Sequence, residues 1–369
     1  MARLRVGVAG CGAVAQIMHL AHLRELDQLY ELVAIADADA ETLALVGDHY
    51  GVAGRHGSFD ELLEAPIDAV LILTPGSHGG QCVAAARAGK HIFVEKPLCY
   101  TLRECDAVAE AVERAGVTLQ VGYMKRYDPA YRRARELVTR IEDLRYGQIT
   151  TIHPSSNLFF AHHPIRRRRG EPPARAYRTL PYPIPPDDPV RVDGEESQLL
   201  RGVLGRDASV DQLVAFKVML SSLCHDVNAL RGLLGQPSEL LGCEVWQQGG
   251  CVSALLGYGD ALRVHYAFVY VPDLRDYREE LAFYGASERV RIVFPSPFLR
   301  NTPTELFHQR SEDGAAVEAR LVVGYEEAFM EELRAFHESV VRGTHPLTDV
   351  ADSRGDLVVL TDMARLMSS

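Results

Sequence analysis

Leu4-Arg5-Val6-Gly7-Val8-Ala9 runs directly into Gly10-Cys11-Gly12-Ala13-Val14-Ala15, and the reading of this stretch decides the fold. Its first half alternates like a strand, and Ile17 to Leu29 beyond it can form a helix with one apolar face. Strand, turn and helix are the setting in which G-x-G-x-x-A carries a physical meaning. Gly10 permits the tight turn, Gly12 lets backbone approach a pyrophosphate at the helix N-terminus, and Ala15 is small enough for close helix-to-strand packing. Ala13 and Val14 complete the turn. A Gly-rich turn alone is weak evidence, but a second strand, Leu32 to Ala36, ends at Asp37, twenty-two residues beyond Ala15. That is close to the ~20 expected for the acid that binds the adenosine ribose hydroxyls. Ala38, rather than an arginine, follows Asp37. The pair therefore favours NAD over NADP, whose 2′-phosphate would meet a carboxylate with no cation to offset it.

The α/β alternation continues outward from this turn. Glu41 to Tyr50 and Phe59 to Leu63 read as helices, and Asp68 to Leu73 as a fully buried strand. Thr74-Pro75-Gly76-Ser77-His78 then forms a loop on the cofactor side, followed by an alanine-rich helix stopped at Gly89. His91-Ile92-Phe93-Val94-Glu95-Lys96-Pro97 is a second buried strand that delivers an acid and a base to its carboxyl end, where open α/β sheets bind ligands. Proline biases the residue before it toward extended backbone, which holds Lys96 out of the next helix and aims it at the crevice. An isolated Glu-Lys-Pro would read as a solvated charge pair. Its place downstream of the Gly-rich turn makes Lys96 the first candidate for chemistry. Thr101-Leu102-Arg103-Glu104 is a capping box opening a helix that closes near Gly116, and Thr118 to Val121 is the last strand. The expected organisation is a dinucleotide-binding domain over 1–123 and a second domain over 124–369.

Composition bounds the rest. The 369 residues, 47% hydrophobic and 24% charged, suit an ordinary soluble protein of about two domains. A formal net charge of -11 argues against nucleic acid or an anionic membrane as partner. No apolar run reaches the ~18 residues of a membrane span, and no signal-peptide pattern opens the chain, so the expectation is a cytoplasmic protein. Seven cysteines without a C-x-x-C read as reduced thiols. His19 and His22 stand one helical turn apart, but two ligands leave a zinc shell half empty, so no metal is expected.

The second half is less regular. Pro129 to Val138 has helical spacing and Gly147 to Ile152 can be a strand, whereas residues 153–208 read as a long loop or insertion. That stretch holds His162, His163, the run Arg166-Arg167-Arg168-Arg169 and a proline-rich segment through Pro189. One block of four arginines on an acidic chain reads as a solvated turn or subunit contact rather than a nucleic-acid site. Ala215 to Leu234 has helical apolar spacing. Ala254 to Tyr258, Leu262 to Val271, Glu280 to Tyr284 and Val290 to Phe294 read as antiparallel strands, a series ended by Pro295-Ser296-Pro297. Tyr325 to Val341 and Asp352 to Met367 are amphipathic helices expected to pack back on the body.

Gly10-x-Gly12, Asp37, Thr74-Pro75, Gly89-Lys90-His91 and above all Glu95-Lys96-Pro97 resemble the glucose-fructose oxidoreductase and inositol dehydrogenase family, Gfo/Idh/MocA. Tyr123-Met124-Lys125-Arg126-Tyr127-Asp128-Pro129 is similar to the family's entry into its second domain, and His225 to Gly235 to its substrate-site helix. The resemblance implies a Rossmann domain followed by an α/β domain with an open, largely antiparallel sheet, which often forms a homo-oligomer contact, here a dimer or tetramer. It implies an NAD-dependent oxidoreductase acting on a secondary alcohol of a sugar, cyclitol or related polyhydroxy compound. Lys96 and His225 would share the alcohol proton. Thr74, Pro75, His78, Glu95 and Arg126 would face the cofactor, and Tyr127 and Ser221 the substrate. Many family members carry aspartate four residues before the histidine and an acid three after it, where this chain has Ser221 and Asn228. Serine can hydrogen-bond a hydroxyl but cannot act as an anion. Two alternatives stay open: an NAD-assisted lyase or glycosidase using transient oxidation, and a non-catalytic NAD-binding regulatory protein.

Overall fold

Leu4, Val6 and Val8 turn inward along β1 (Leu4–Ala9), while Arg5 turns out to an exposed pair with Asp68 that adds little stability. The computed structural model describes residues 3–155, 158, 161–167 and 194–368. Parallel with β1 run β2 (Tyr30–Ala36), β3 (Gly54–His56), β4 (Ala69–Ile72), β5 (His91–Glu95) and β6 (Leu119–Gly122), in the order β3-β2-β1-β4-β5-β6. This is the doubly wound order, and it reverses between β1 and β4. β4 is buried at every position, as a parallel strand covered on both faces must be. The helices between strands have the expected caps. Thr101 and Glu104 form both bonds of the capping box at Leu102–Ala115, and Gly116 closes that helix with a φ of 64°.

The helix after the Gly-rich turn differs from expectation. A π-helical turn, Ala15–His19, leads into an α-helix that ends at Glu25, because Leu26 to Leu29 are needed to bring the chain round to β2.

Residues 1–124 form one compact unit with 328–354 and the described residues 161–167. The second segment is therefore not the continuous 124–369 expected. The reason is an apolar stripe on the helix Ala328–Arg342: Phe329, Leu333 and Phe336 are buried, the last two in the core that β1, β2 and Phe93 build. Phe93 and Phe336 meet edge to face with ring centroids 5.8 Å apart. Each such side chain contributes roughly 1.5–3 kcal/mol by burial. Thr348 completes the attachment, accepting β6's Val121 N–H with its carbonyl at 2.8 Å and donating its hydroxyl to Val121's carbonyl at 2.7 Å. Arg166 is held by Gln16, whose side chain accepts its N–H and donates to its carbonyl, each at 2.8 Å. Arg168, Arg169 and the proline-rich run lie outside the described residues.

The other unit, the described residues of 125–158, 194–327 and 355–368, is built on a nine-stranded sheet. Its strands are β7 (Tyr146–His153), β8 (Glu239–Trp246), β9 (Cys251–Tyr258), β10 (Leu262–Tyr270), β11 (Arg278–Tyr284), β12 (Glu288–Phe294), β13 (Glu305–Glu312), β14 (Ala315–Leu321) and β15 (Met367–Ser368). They lie in the order β14-β13-β12-β11-β7-β10-β9-β8-β15, antiparallel except for β7 with β10 and β8 with β15. The series does not end at Pro297: β13 and β14 follow. They lack the alternation that marks a half-buried strand, since β14 is exposed at all but its last position. Nor is 153–208 irregular throughout, because Glu195–Leu204 is a helix with acids in its first turn and Ser197 and Leu200 inward. The helical stretch Val210–Leu234 is long and apolar enough to pass for a membrane span, contrary to expectation. It is mostly buried within the protein, which identifies a core helix.

Candidate active site

In the first unit the Gly-rich turn divides its labour between two glycines. Gly10 has φ +91°, and its N–H donates to Ala36's carbonyl at 2.8 Å. A Cβ there would stand 2.8 Å from Leu73's carbonyl oxygen and 2.9 Å from Thr74's nitrogen, so only glycine lets the turn lie against the end of β4. A Cβ at Gly12 would meet nothing within 4 Å. Gly12 is exposed, Ala13 buried and Val14 half-buried, so backbone at Gly12 is presented at the carboxyl end of β1. Asp37 stands beside it: its carboxylate accepts the N–H of Cys11 at 2.8 Å and of Asp39 at 2.9 Å. The residues present fit a dinucleotide, with open backbone for a pyrophosphate and an oriented acid for ribose hydroxyls.

The two neighbouring strand ends are braced together. His78 is buried, with Nδ1 2.7 Å from Pro97's carbonyl oxygen and Nε2 2.5 Å from Thr74's. Thr74 donates its hydroxyl to Gln81 at 2.6 Å, and Pro75 is exposed at the loop tip. His78 thus fixes the loops after β4 and β5 against each other, a bracing role. The same holds for Glu95. Its carboxylate turns inward, accepting from His19 Nε2 at 2.8 Å and from Lys96's own N–H at 3.1 Å. Burial works to raise this carboxyl, but the His19 hydrogen bond and the Lys96 charge outweigh it and hold Glu95 below its ordinary value. Lys96 itself follows the last residue of β5, half-buried, and its peptide bond to Pro97 is cis.

His19 and His22 do not act as a pair. His22 lies 3.3 Å from Glu25, while His19 joins Glu95 and the buried Glu332 in a group whose ligand atoms lie within 4.8 Å of one another. Sequence spacing could not show this group, because Glu95 and Glu332 come from β5 and the helix Ala328–Arg342.

In the second unit, His225 is half-buried in the first turn of the helix Cys224–Leu234. A π-helical turn, Met219–Leu223, precedes it and contains Ser221, which is exposed and lies 3.4 Å from Val218's carbonyl oxygen. Asn228 is buried, donating to Asp356 at 2.8 Å and accepting from Arg126 at 3.4 Å. A carboxylate, that of Asp356, thus lies one hydrogen bond from position 228. Arg126 and Tyr127, expected to orient ligand, are both buried in this unit, Arg126 against Asn228 and the helix at Gly232.

Sequence reasoning passed over Lys125, Asp226 and Glu279. Asp226 accepts hydrogen bonds from Thr151 at 2.9 Å, Tyr266 at 2.8 Å and Lys125 at 3.3 Å. Glu279 accepts from Lys125 and, at 2.5 Å, from Tyr277. The one available signal was a charge within the apolar spacing of the helix, at Asp226.

A doubly wound parallel sheet, a Gly-rich turn presenting bare backbone, an acid after β2 and a lysine after β5 define a dinucleotide-binding oxidoreductase unit. Residues 4–123 match the model of an oxidoreductase family with an NAD-binding Rossmann fold, Gfo/Idh/MocA. Inositol 2-dehydrogenase 3 of Saccharopolyspora erythraea is 39% identical over 37% of this chain and 40% of its own length. Myo-inositol 2-dehydrogenase of Thermotoga maritima is 24% identical over 96% of this chain and 94% of its own. Among solved structures, a 3-ketoreductase from Actinomadura kijaniata in complex with NADP superposes with a TM-score of 0.72 at 19% identity, covering 99% of this chain and 98% of that one. The family match covers the dinucleotide-binding unit, residues 4–123, and the similarity over the rest of the chain is one of fold.

Proposed function

We propose that this protein is an NAD-dependent dehydrogenase that oxidises a secondary alcohol of a sugar, cyclitol or related polyhydroxy compound. The observation that carries the reading is Lys96, set by β5 at the carboxyl edge of a sheet whose order reverses at β1 and β4, the same edge at which the open backbone of Gly12 follows β1. Two inositol dehydrogenases among the relatives support the substrate class.

Bound nicotinamide would supply a hydride acceptor. The protein's task is the proton: a neutral alcohol is a poor hydride donor and an alkoxide a good one. Lys96 accepts or polarises that proton at Nζ, and His225 is the second unit's candidate for sharing it. Asp37 supports NAD over NADP, since its carboxylate would stand against a 2′-phosphate. The same reading carries a homo-oligomer in the cytoplasm. Leu241, Trp246 and Val317, exposed on strands of the large sheet, support the first, and seven thiols without a disulfide the second.

The test is to incubate the purified protein with NAD or NADP and a panel of inositols, sugars and amino sugars, following reduced nucleotide by absorbance. The expected result is NADH formation with at least one polyol. Lys96→Met should keep NAD affinity while turnover falls by about 10²-fold or more. Failure of every polyol to yield reduced nucleotide, or full turnover in Lys96→Met, would overturn the proposal.

A further inference from the structure

The second unit contains an unbalanced group of buried charges. Lys125, Asp226 and Glu279 are 7%, 2% and 1% exposed, one ammonium facing two carboxyl groups. Among the described residues Lys125 is the one cation bonded to either acid. The other partners are hydroxyls: Thr151 from β7, Tyr266 from β10 and Tyr277 just before β11. Cys224 faces Tyr266 from the same helix as Asp226, and Phe294 of β12 covers the ammonium at 5.1 Å from its ring centroid. A carboxylate left unneutralised here is strongly unfavourable. Lys125 Nζ bonds both acids, so the two carboxyl groups converge on one ammonium, and two carboxyl groups crowded together in this way are favourable only with a proton shared between them.

We propose that Lys125, Asp226 and Glu279 act as one positioning unit, in which a single proton bridges the two carboxyl groups and locks the turn Met124–Tyr127 to the helix that carries His225. The connections are short. Lys125 precedes Arg126 and Tyr127 in the turn, Asp226 follows His225 in the helix, and Glu279 anchors both to β11. The proton belongs on Glu279. Burial, reinforced by the Asp226 charge and opposed by Lys125, pushes its carboxyl up to about 8. Burial also works to raise Asp226, but Lys125 and the bonds from Glu279, Tyr266 and Thr151 outweigh it and hold that carboxyl below its ordinary value.

The sign of the pH effect follows. Glu279 is raised on folding, so the folded protein holds its proton where the unfolded chain has released it. Stability therefore falls as pH rises from the unfolded value of 4.5 toward about 8 and levels off above it. Between pH 7 and pH 9 the protonated fraction drops about tenfold. If the proton fixes His225, kcat should fall with it. The activity readout rests on the dehydrogenase reading; the stability readout, taken without substrate or nucleotide, does not.

The experiment compares the unmodified protein with Glu279→Gln, whose amide donates to Asp226 permanently. Urea midpoints from pH 6 to 9 should decline in the unmodified protein and stay level over that range in Glu279→Gln. The ratio of kcat at pH 9 to kcat at pH 7 should be about tenfold higher in Glu279→Gln, a shift that lost packing alone would not produce. Parallel midpoint slopes in the two proteins would overturn the shared proton, whether or not any alcohol is oxidised. Level midpoints with identical kcat ratios would overturn the positioning role. Carbon NMR titration of glutamate carboxyls in the unmodified protein decides the matter if Glu279→Gln fails to fold. One glutamate titrating above pH 7 supports the proposal, and none doing so refutes it.

Discussion

Substituting alanine at Gly10 and at Gly12 should separate folding from ligand binding within a single turn. At Gly10 the new methyl meets two penalties. A side chain at φ +91° costs ~1–2 kcal/mol. Its Cβ also lies 2.8–2.9 Å from backbone atoms of Leu73 and Thr74, which cannot rotate away, and forced overpacking costs a further ~1–3 kcal/mol. Gly10→Ala should therefore lose roughly 2–5 kcal/mol, a large part of the ~5–15 kcal/mol of a typical domain. At Gly12 there is no positive φ and no atom within 4 Å of the added Cβ, so ligand-free stability should stay within about 0.5 kcal/mol. The loss appears on adding nucleotide. NAD at a hundred times its Kd stabilises the unmodified protein by ~2.7 kcal/mol. If the methyl blocks the pyrophosphate and raises Kd a hundredfold, that gain shrinks to ~0.4 kcal/mol. Urea unfolding with and without NAD measures all four quantities. A ligand-free Gly12→Ala as unstable as Gly10→Ala, or one that keeps the full NAD effect, would refute the division of roles.

Asp37→Ala removes an acceptor oriented by the N–H groups of Cys11 and Asp39. A charged hydrogen bond to ribose is worth ~1.5–3 kcal/mol, so NAD affinity by calorimetry should fall roughly 10- to 150-fold and discrimination against NADP should weaken; tighter binding of NADP by the unmodified protein would contradict this. Phe336→Ala empties a fully buried position against Phe93 and should cost ~3–5 kcal/mol, with hydrogen exchange in β1 and β5 accelerating. A cost below about 1 kcal/mol would show that the helix Ala328–Arg342 is not part of that core.

The first unit was legible in the sequence because its signals are local. The Gly-rich turn, the Thr101–Glu104 box and the continuous apolar run of β4 each announce themselves within a few residues, and the observed elements follow them closely. The large sheet was legible only where its strands alternate. β13 and β14 do not, yet Asp313-Gly314 between them was a usable hairpin signal, and both residues do take positive φ, 48° and 79°. Candidate site residues stood out where motif and strand end coincided, as at Lys96 and Asp37. Direction was harder: nothing in Glu95 or His78 says that the side chain turns inward, because the partners come from other elements. The charged group in the second unit was out of reach altogether, since Lys125 meets residues 101 and 154 positions away.

The return of residues 328–354 to the first unit sets a schedule for synthesis. β6 is an edge strand, and Thr348 bonds both backbone groups of Val121 on it. When residue 124 leaves the ribosome the six strands are complete, but the segment that covers this edge and fills the core with Leu333 and Phe336 is still about 230 residues from completion. At ~5–20 residues per second that interval is roughly 10–45 s. Throughout it the nascent sheet exposes an open edge and an unfilled apolar patch, the features that invite pairing with another chain. The interval is when this protein most needs a chaperone, and slowing translation across residues 125–327 should lower its soluble yield.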